Sequence, residues 1–142
     1  MTRPARATLY SPDMLALAVE LAIFPYDAGA SYQGEARSRS CGSVLAVSFE
    51  GKFENLGLRV TACAVGQASA AIFARHAKGK AAQDLEAAKS AIEIWLAGGA
   101  DVPQWSDFDT LAPARDYPAR HGAILLPWNA ALDALSKGGA GR

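Results

Sequence analysis

The sequence has few of the groups from which catalytic and metal sites are usually built. Its 142 residues include two cysteines, Cys41 and Cys63, and two histidines. No Ser-His-Asp signature, P-loop or GxGxxG motif occurs, so no pattern in the chain indicates a hydrolase or an oxidoreductase. A structural zinc site needs four ligands, and two cysteines cannot supply them alone.

An excess of one charge and a long apolar run are also missing. Lys plus Arg equals Asp plus Glu, at 14 each, which argues against a nucleic-acid binder. No run of about 18 uncharged apolar residues exists, so we expect no transmembrane helix. Asp13 and Glu20 interrupt the apolar N-terminal segment, and Ser11-Pro12 is typical of a helix start rather than of a secretory signal. We therefore expect a cytoplasmic protein without a disulfide.

The composition is that of one globular domain. Apolar residues make up 51% of the chain, enough to bury a core. We expect a single domain over residues 1–142, with disorder at 1–8 and 137–142. Hydrophobic periodicity and Gly and Pro positions predict helices at 12–24, 64–78, 82–97 and 123–136, and strands at 43–49 and 53–60.

Two segments without clear periodicity join these elements. Residues 25–40 are interpreted as a long loop or a poorly formed edge strand, and 98–118 as a connecting loop. In the last helix, Pro127 is expected to be tolerated only near the first turn, where an amide has no helical partner. His76 and the acidic residues Asp107, Asp109 and Asp116 are expected to be solvated.

The predicted hairpin brings the two cysteines together. Cys41 lies at its entrance and Cys63 at its exit. Paired strands run about 5 Å apart, so the two thiols are predicted to be neighbours in space. Cys63 also begins a predicted helix among small residues, where the positive end of the helix dipole favours the reactive thiolate. The alternative is a small buried cysteine that packs like an alanine.

Two thiolates leave a metal site incomplete. The other ligands would come from further residues, from a second copy of the chain or from a partner; otherwise no metal binds. His121, just before the last helix, is the best additional candidate, and its alternative is an exposed loop histidine.

The order of these features resembles the U-type iron–sulfur cluster scaffold family, which includes IscU, SufU and the N-terminal domain of NifU. The resemblance extends over residues 9–135. It is carried by LYSPDMLALAVELAIFP, SCGSVLAVSF, ACAVGQAS, the KGK turn and RHGAILLPWNAAL. It implies an α+β fold: a small antiparallel sheet of about three strands, packed by helices on one face.

The family's three ligand cysteines map onto this chain only in part. The Cys-Gly-Asp context of the first corresponds to Cys41-Gly42-Ser43, and the second corresponds to Cys63. With Leu126 and Trp128 kept in register, the third falls on Ala123. Ser43 and Ala123 thus stand where the family has Asp and Cys. The family histidine precedes the third cysteine, and here His121 lies one residue earlier than that position.

The resemblance implies a scaffold that binds iron or a nascent cluster, such as [2Fe–2S], or zinc, through Cys41, Cys63 and His121. The missing ligands would come from a homodimer or a small thiol. A cysteine desulfurase and other assembly proteins are the implied partners, and the role is not enzymatic in the strict sense. The alternatives are a degenerate member that binds partners or regulates without a cluster, and a sulfur relay through a persulfide on Cys63.

Overall fold

The computed structural model describes residues 11–39 and 42–138. Within them four α-helices, three β-strands and several short 3₁₀ segments follow one another. In chain order the helices and strands are α1 (Pro12–Val19), β1 (Tyr32–Arg37), β2 (Val44–Glu50), β3 (Glu54–Thr61), α2 (Ala64–His76), α3 (Ala82–Leu96) and α4 (His121–Lys137). Residues 1–8 and 139–142, which are predicted to be disordered, lie outside the described residues, as does Cys41. The tail that is predicted to be disordered also includes Lys137, but this residue is the last one of α4. No described helix combines the length and apolarity needed to cross a membrane.

The N-terminal helix begins where the sequence predicts. The Ser11 hydroxyl accepts a hydrogen bond from the Met14 amide at 3.2 Å, and Pro12 occupies the first turn. A 3₁₀ turn, Glu20–Ile23, completes the predicted segment. The amide of Leu58 then donates to the carbonyl of Phe24 at 2.8 Å, which ties the end of this segment to β3.

The sheet is antiparallel, in the order β1-β2-β3. The edge-strand interpretation of residues 25–40 is confirmed, because β1 pairs along the whole of its length with β2. At one end of the sheet Val44 pairs with both Arg37 and Thr61. Leu45, Val47 and Phe49 of the central strand are buried, as their period-two spacing predicts.

Helix α4 packs across β1 and β2. A Cβ built on Gly34 of β1 would lie 2.5 Å from the Ala134 amide and against the Ala130 carbonyl. Glycine is therefore needed for strand and helix to approach this closely. On the other flank of α4 the buried Trp128 ring meets Phe73 of α2 edge-on at 5.4 Å, which joins the helices into one core.

Two expectations about the second half of the chain are wrong. Pro127 lies in the second turn of α4, because the helix begins at His121. The hydroxyl of Ser69 donates to the Ile124 carbonyl at 2.6 Å, a tertiary hydrogen bond in the turn that Pro127 disturbs. Residues 98–118 are also more ordered than a simple connection. They contain the 3₁₀ helix Phe108–Asp116, which buries Phe108 in the core.

Gly34→Ala should lower the free energy of unfolding by about 3 kcal/mol, because its methyl group overlaps the backbone of α4. The measurement is urea denaturation followed by tryptophan fluorescence. Gly51→Ala is the control, since a Cβ at Gly51 meets nothing within 4 Å. Equal stabilities of the two variants would contradict the close approach of β1 and α4.

Candidate functional site

Cys63 forms the junction between β3 and α2. It is the N-cap residue of α2, with φ −66° and ψ 171°, and its thiol makes no capping hydrogen bond. The side chain is half-buried and packs partly against the core. The first-turn amides of a helix have no intrahelical partners, so the thiol lies where an anion is stabilised. The expected helix start at this cysteine is confirmed.

The start of α4 lies directly against the start of α2. A Cβ built on Gly66 would be 2.8 Å from the Cβ of Ala62 and 3.3 Å from the Cβ of Ala123. Ala123 is fully buried in this contact. The residue that the family resemblance aligns with a third ligand cysteine therefore lies one helical turn from Cys63, with a methyl group in place of a thiol.

The second replaced position, Ser43, immediately precedes β2 and is buried at 4% exposure. The turn before it is closed by two backbone hydrogen bonds. Ser38 N donates to Ser43 O at 2.8 Å, and Gly42 N donates to Ser38 O at 2.9 Å. Gly42 has a φ of +71°, which a residue with a side chain rarely adopts. Val44, which follows this turn, pairs with Thr61, the last residue of β3. The turn and the end of β3 therefore lie at the same end of the sheet.

The proximity of Cys41 to Cys63 stays a prediction, because Cys41 lies outside the described residues. What the described residues show is that Val44, three residues after Cys41, pairs with Thr61, two residues before Cys63. Among the described residues no three His, Cys, Asp or Glu side chains are grouped so as to hold a metal ion.

His121 is the first residue of α4, and its ring is partly fixed. Nε2 lies 2.7 Å from the carbonyl oxygen of Arg115. A carbonyl oxygen only accepts, so Nε2 carries the proton and donates. In the neutral ring the lone pair is then on Nδ1. Any ligation by His121 would therefore use Nδ1, with Nε2 anchored by the loop before α4.

Asp107, Asp109 and Asp116 are exposed and His76 is partly exposed, as the sequence predicts, but His76 and Asp107 are also paired with each other. His76 ends α2, and its Nε2 lies 2.8 Å from a carboxylate oxygen of Asp107. The guanidinium group of Arg75 pairs with the same carboxylate of Asp107 at 3.0 Å. It also pairs with the carboxylate of Glu20, which follows α1. Hydrogen bonds from His76 and Arg75 hold the pKa of Asp107 below its usual value. These contacts fasten the end of α2 that is remote from Cys63, so their role is structural.

One polar side chain at the junction was missed by the sequence reasoning. The Nε2 of Gln67 donates to the carbonyl of Ala62 at 2.8 Å, beside Cys63. Its only signal in the sequence was that it is the one long polar side chain within ACAVGQAS.

The same fold is found in solved structures of other proteins. The N-terminal part of a nitrogen-fixing NifU-like protein from Brucella abortus is 30% identical, with a TM-score of 0.82. The comparison covers 94% of this chain and 96% of that one. The chain therefore belongs to the U-type iron–sulfur cluster assembly scaffold family, as the sequence resemblance implied.

Two further structures share the fold at 21% identity. One is a proposed iron–sulfur cluster assembly scaffold protein for the SUF system of Fervidobacterium islandicum AW-1, with a TM-score of 0.78 over 91% of this chain and 98% of that one. The other is a hypothetical protein, with a TM-score of 0.68; the comparison covers 87% of this chain and 96% of that one. Protein-family models and curated proteins gave no match.

Ser69→Ala should lower the free energy of unfolding by about 1–2 kcal/mol, because it removes a buried hydrogen bond between α2 and the proline-containing turn of α4. Chemical denaturation checks this value. Ser136→Ala is the matched control: its hydroxyl also donates to a backbone carbonyl, that of Asp133 at 2.7 Å, but in an exposed position. If Ser69→Ala lowers the free energy of unfolding no more than Ser136→Ala does, the hydrogen bond of Ser69 does not stabilise the contact between α2 and α4.

Proposed function

We propose that this chain is a scaffold for iron–sulfur cluster assembly, which holds iron or a nascent cluster as cargo through Cys41 and Cys63. The observation that carries the proposal is the half-buried thiol of Cys63 at the start of α2, in a chain of the scaffold family. The residues on either side of Cys63 in the chain are alanines, which are small. The partners we propose are a cysteine desulfurase, which would supply sulfur, and other assembly proteins of the cytoplasm.

The donor set favours an incompletely coordinated cargo. Two thiolates and Nδ1 of His121 give at most three ligands, whereas zinc sites and iron–sulfur clusters use four. Ser43 and Ala123 supply neither the carboxylate nor the thiolate of the family pattern. On the scaffold proposal the remaining ligands come from outside the chain, either from a second copy in a homodimer or from a small thiol. Such a site fits a transient cluster better than a resident structural zinc ion.

A sulfur relay is the second candidate function. It needs one accessible thiol and no complete ligand set, and the described residues offer Cys63 without a three-ligand group. In this chemistry the Cys63 thiolate attacks the outer sulfur of a donor persulfide, and the donor leaves as a thiolate. A degenerate member that acts only by binding partners would need neither thiol.

The cysteines are tested by anaerobic reconstitution with iron and sulfide, followed by desalting, metal analysis and visible absorption. Cys63→Ser and Cys41→Ser should each lower the retained iron at least about tenfold, because each removes a ligand thiolate. Circular dichroism checks that the variants stay folded, and Ala97→Ser, at an exposed position, is the control substitution.

The outcomes separate the candidate functions. Thiolate charge-transfer bands that disappear in both cysteine variants would support the scaffold. Iron retained equally by wild type and both variants would overturn it. If no iron is retained by wild type, but mass spectrometry finds a desulfurase-dependent persulfide on Cys63, the relay replaces the scaffold.

Restoring the family thiol offers a gain-of-function test. Ala123→Cys should raise iron retention severalfold above wild type, because position 123 lies against Gly66 at the start of the Cys63 helix. Ala131→Cys is the matched control, since Ala131 is equally buried on the same helix but two turns further along. An equal gain from both cysteines would indicate nonspecific thiol binding and would contradict the placement of the site.

A further inference from the structure

Gln67 makes two hydrogen bonds that enclose Cys63. Its backbone amide donates to the carbonyl of Cys63 at 2.9 Å, which is the first helical hydrogen bond of α2. Its side-chain Nε2 reaches back and donates to the carbonyl of Ala62 at 2.8 Å. One residue thus holds the carbonyl groups on both sides of the Cys63 α-carbon, and these fix the direction of its Cα–Cβ bond.

No residue between Thr61 and Gln67 has a side chain that could donate to the Ala62 carbonyl in the same way. Between Thr61 and Gln67 the sequence is Ala-Cys-Ala-Val-Gly. Cys63 itself makes no capping hydrogen bond, although side-chain oxygens usually fill that role at an N-cap. The Cys63 side chain therefore does not restrain the junction, and the Gln67 amide restrains it instead by donating to the carbonyl before Cys63.

On the side that faces α4, the junction is held by close packing at Gly66. Gly66 leaves no room for a side chain between Ala62 and Ala123. Movement toward α4 is therefore blocked by close contact. The hydrogen bond from Gln67 Nε2 to the Ala62 carbonyl ties the residue before Cys63 to the first turn of α2. Without that bond, the peptide group before Cys63 is less restrained relative to the helix, while the packing against α4 stays in place.

We propose that Gln67 is a positioning residue, which orients the Cys63 thiol for the cargo by fixing the Ala62 carbonyl. This role resembles that of groups that orient metal ligands from outside the coordination sphere. This inference rests on the proposed scaffold function, because that function supplies the cargo that the oriented thiol would bind. The orientation itself can be measured without any metal.

The test uses chains that carry Cys41→Ser, so that Cys63 is the only thiol. Two uncharged reagents of the same chemistry, N-ethylmaleimide and the much larger N-pyrenylmaleimide, alkylate the thiol. The Cys63 thiolate attacks the carbon–carbon double bond of either maleimide, so the ratio of the two rates does not depend on the ionised fraction of the thiol. Gln67→Met keeps the length of the side chain but cannot donate. The Gln67→Met variant should raise the alkylation rate of the large reagent, relative to that of the small one, roughly fivefold. This is the change in the population of displaced junction conformations that the loss of one hydrogen bond permits.

Two further variants separate positioning from general loosening. Gln33→Met is the matched control, because Nε2 of Gln33 also donates to a backbone carbonyl, that of Ala28 at 2.7 Å, and this residue lies at the other end of the sheet. Gln67→Lys retains a donor of similar reach and should restore the original ratio. An unchanged ratio in Gln67→Met, or an equal rise in Gln33→Met, would overturn the inference.

Metal retention by the chain with both cysteines gives a second measurement. Gln67→Met should lower iron retained after reconstitution about tenfold, and Gln67→Lys should recover it. If the otherwise unaltered chain retains no iron, the scaffold proposal fails, and the maleimide ratio alone decides the role of Gln67. If that chain retains iron and the maleimide ratio is unchanged by Gln67→Met, the positioning role fails and the scaffold proposal stands.

Discussion

The close contact between the first turns of α2 and α4 is the constraint on which the site depends. Gly66 leaves only enough space for the methyl group of Ala123, and Ser69 secures the contact one turn later through the Ile124 carbonyl. The two helices come from distant parts of the chain, and α4 also covers the sheet from which Cys63 emerges. Any disturbance of this contact therefore moves the thiol and the core together.

The local elements could be predicted from the sequence, whereas the contacts between them could not. Period-two spacing located β2, and Ser11-Pro12 located the start of α1, because both signals act within a few residues. The position of Pro127 within α4 was not predictable from local rules, since the helix is stabilised there by packing and by Ser69. The hydrogen bond between His76 and Asp107 joins segments that are separated in the sequence and that show no shared pattern.

In the candidate site too, the residue positions could be predicted from the sequence, whereas the contacts between them could not. The two cysteines and the positions of Ser43 and Ala123 followed from hairpin geometry and family resemblance. Neither source could show that Ala123 is fully buried, or that Nε2 of His121 is already bonded to the Arg115 carbonyl. Gln67 was missed for a physical reason: its side chain acts on the backbone of a neighbour, and such a contact leaves no mark in residue spacing.

The two replaced ligand positions affect chemistry more than folding. Serine and alanine are small, and both positions are almost completely buried, so the fold accommodates them without a charge or a cavity that needs solvent. Relative to the ligand pattern that the family resemblance implies, these two residues lack donor groups. On the proposed scaffold function, a cargo held by few protein ligands keeps coordination positions for exchangeable ones. Each exchangeable ligand lowers the number of protein–metal bonds that must break before the cargo leaves, which suits a carrier that has to release what it holds.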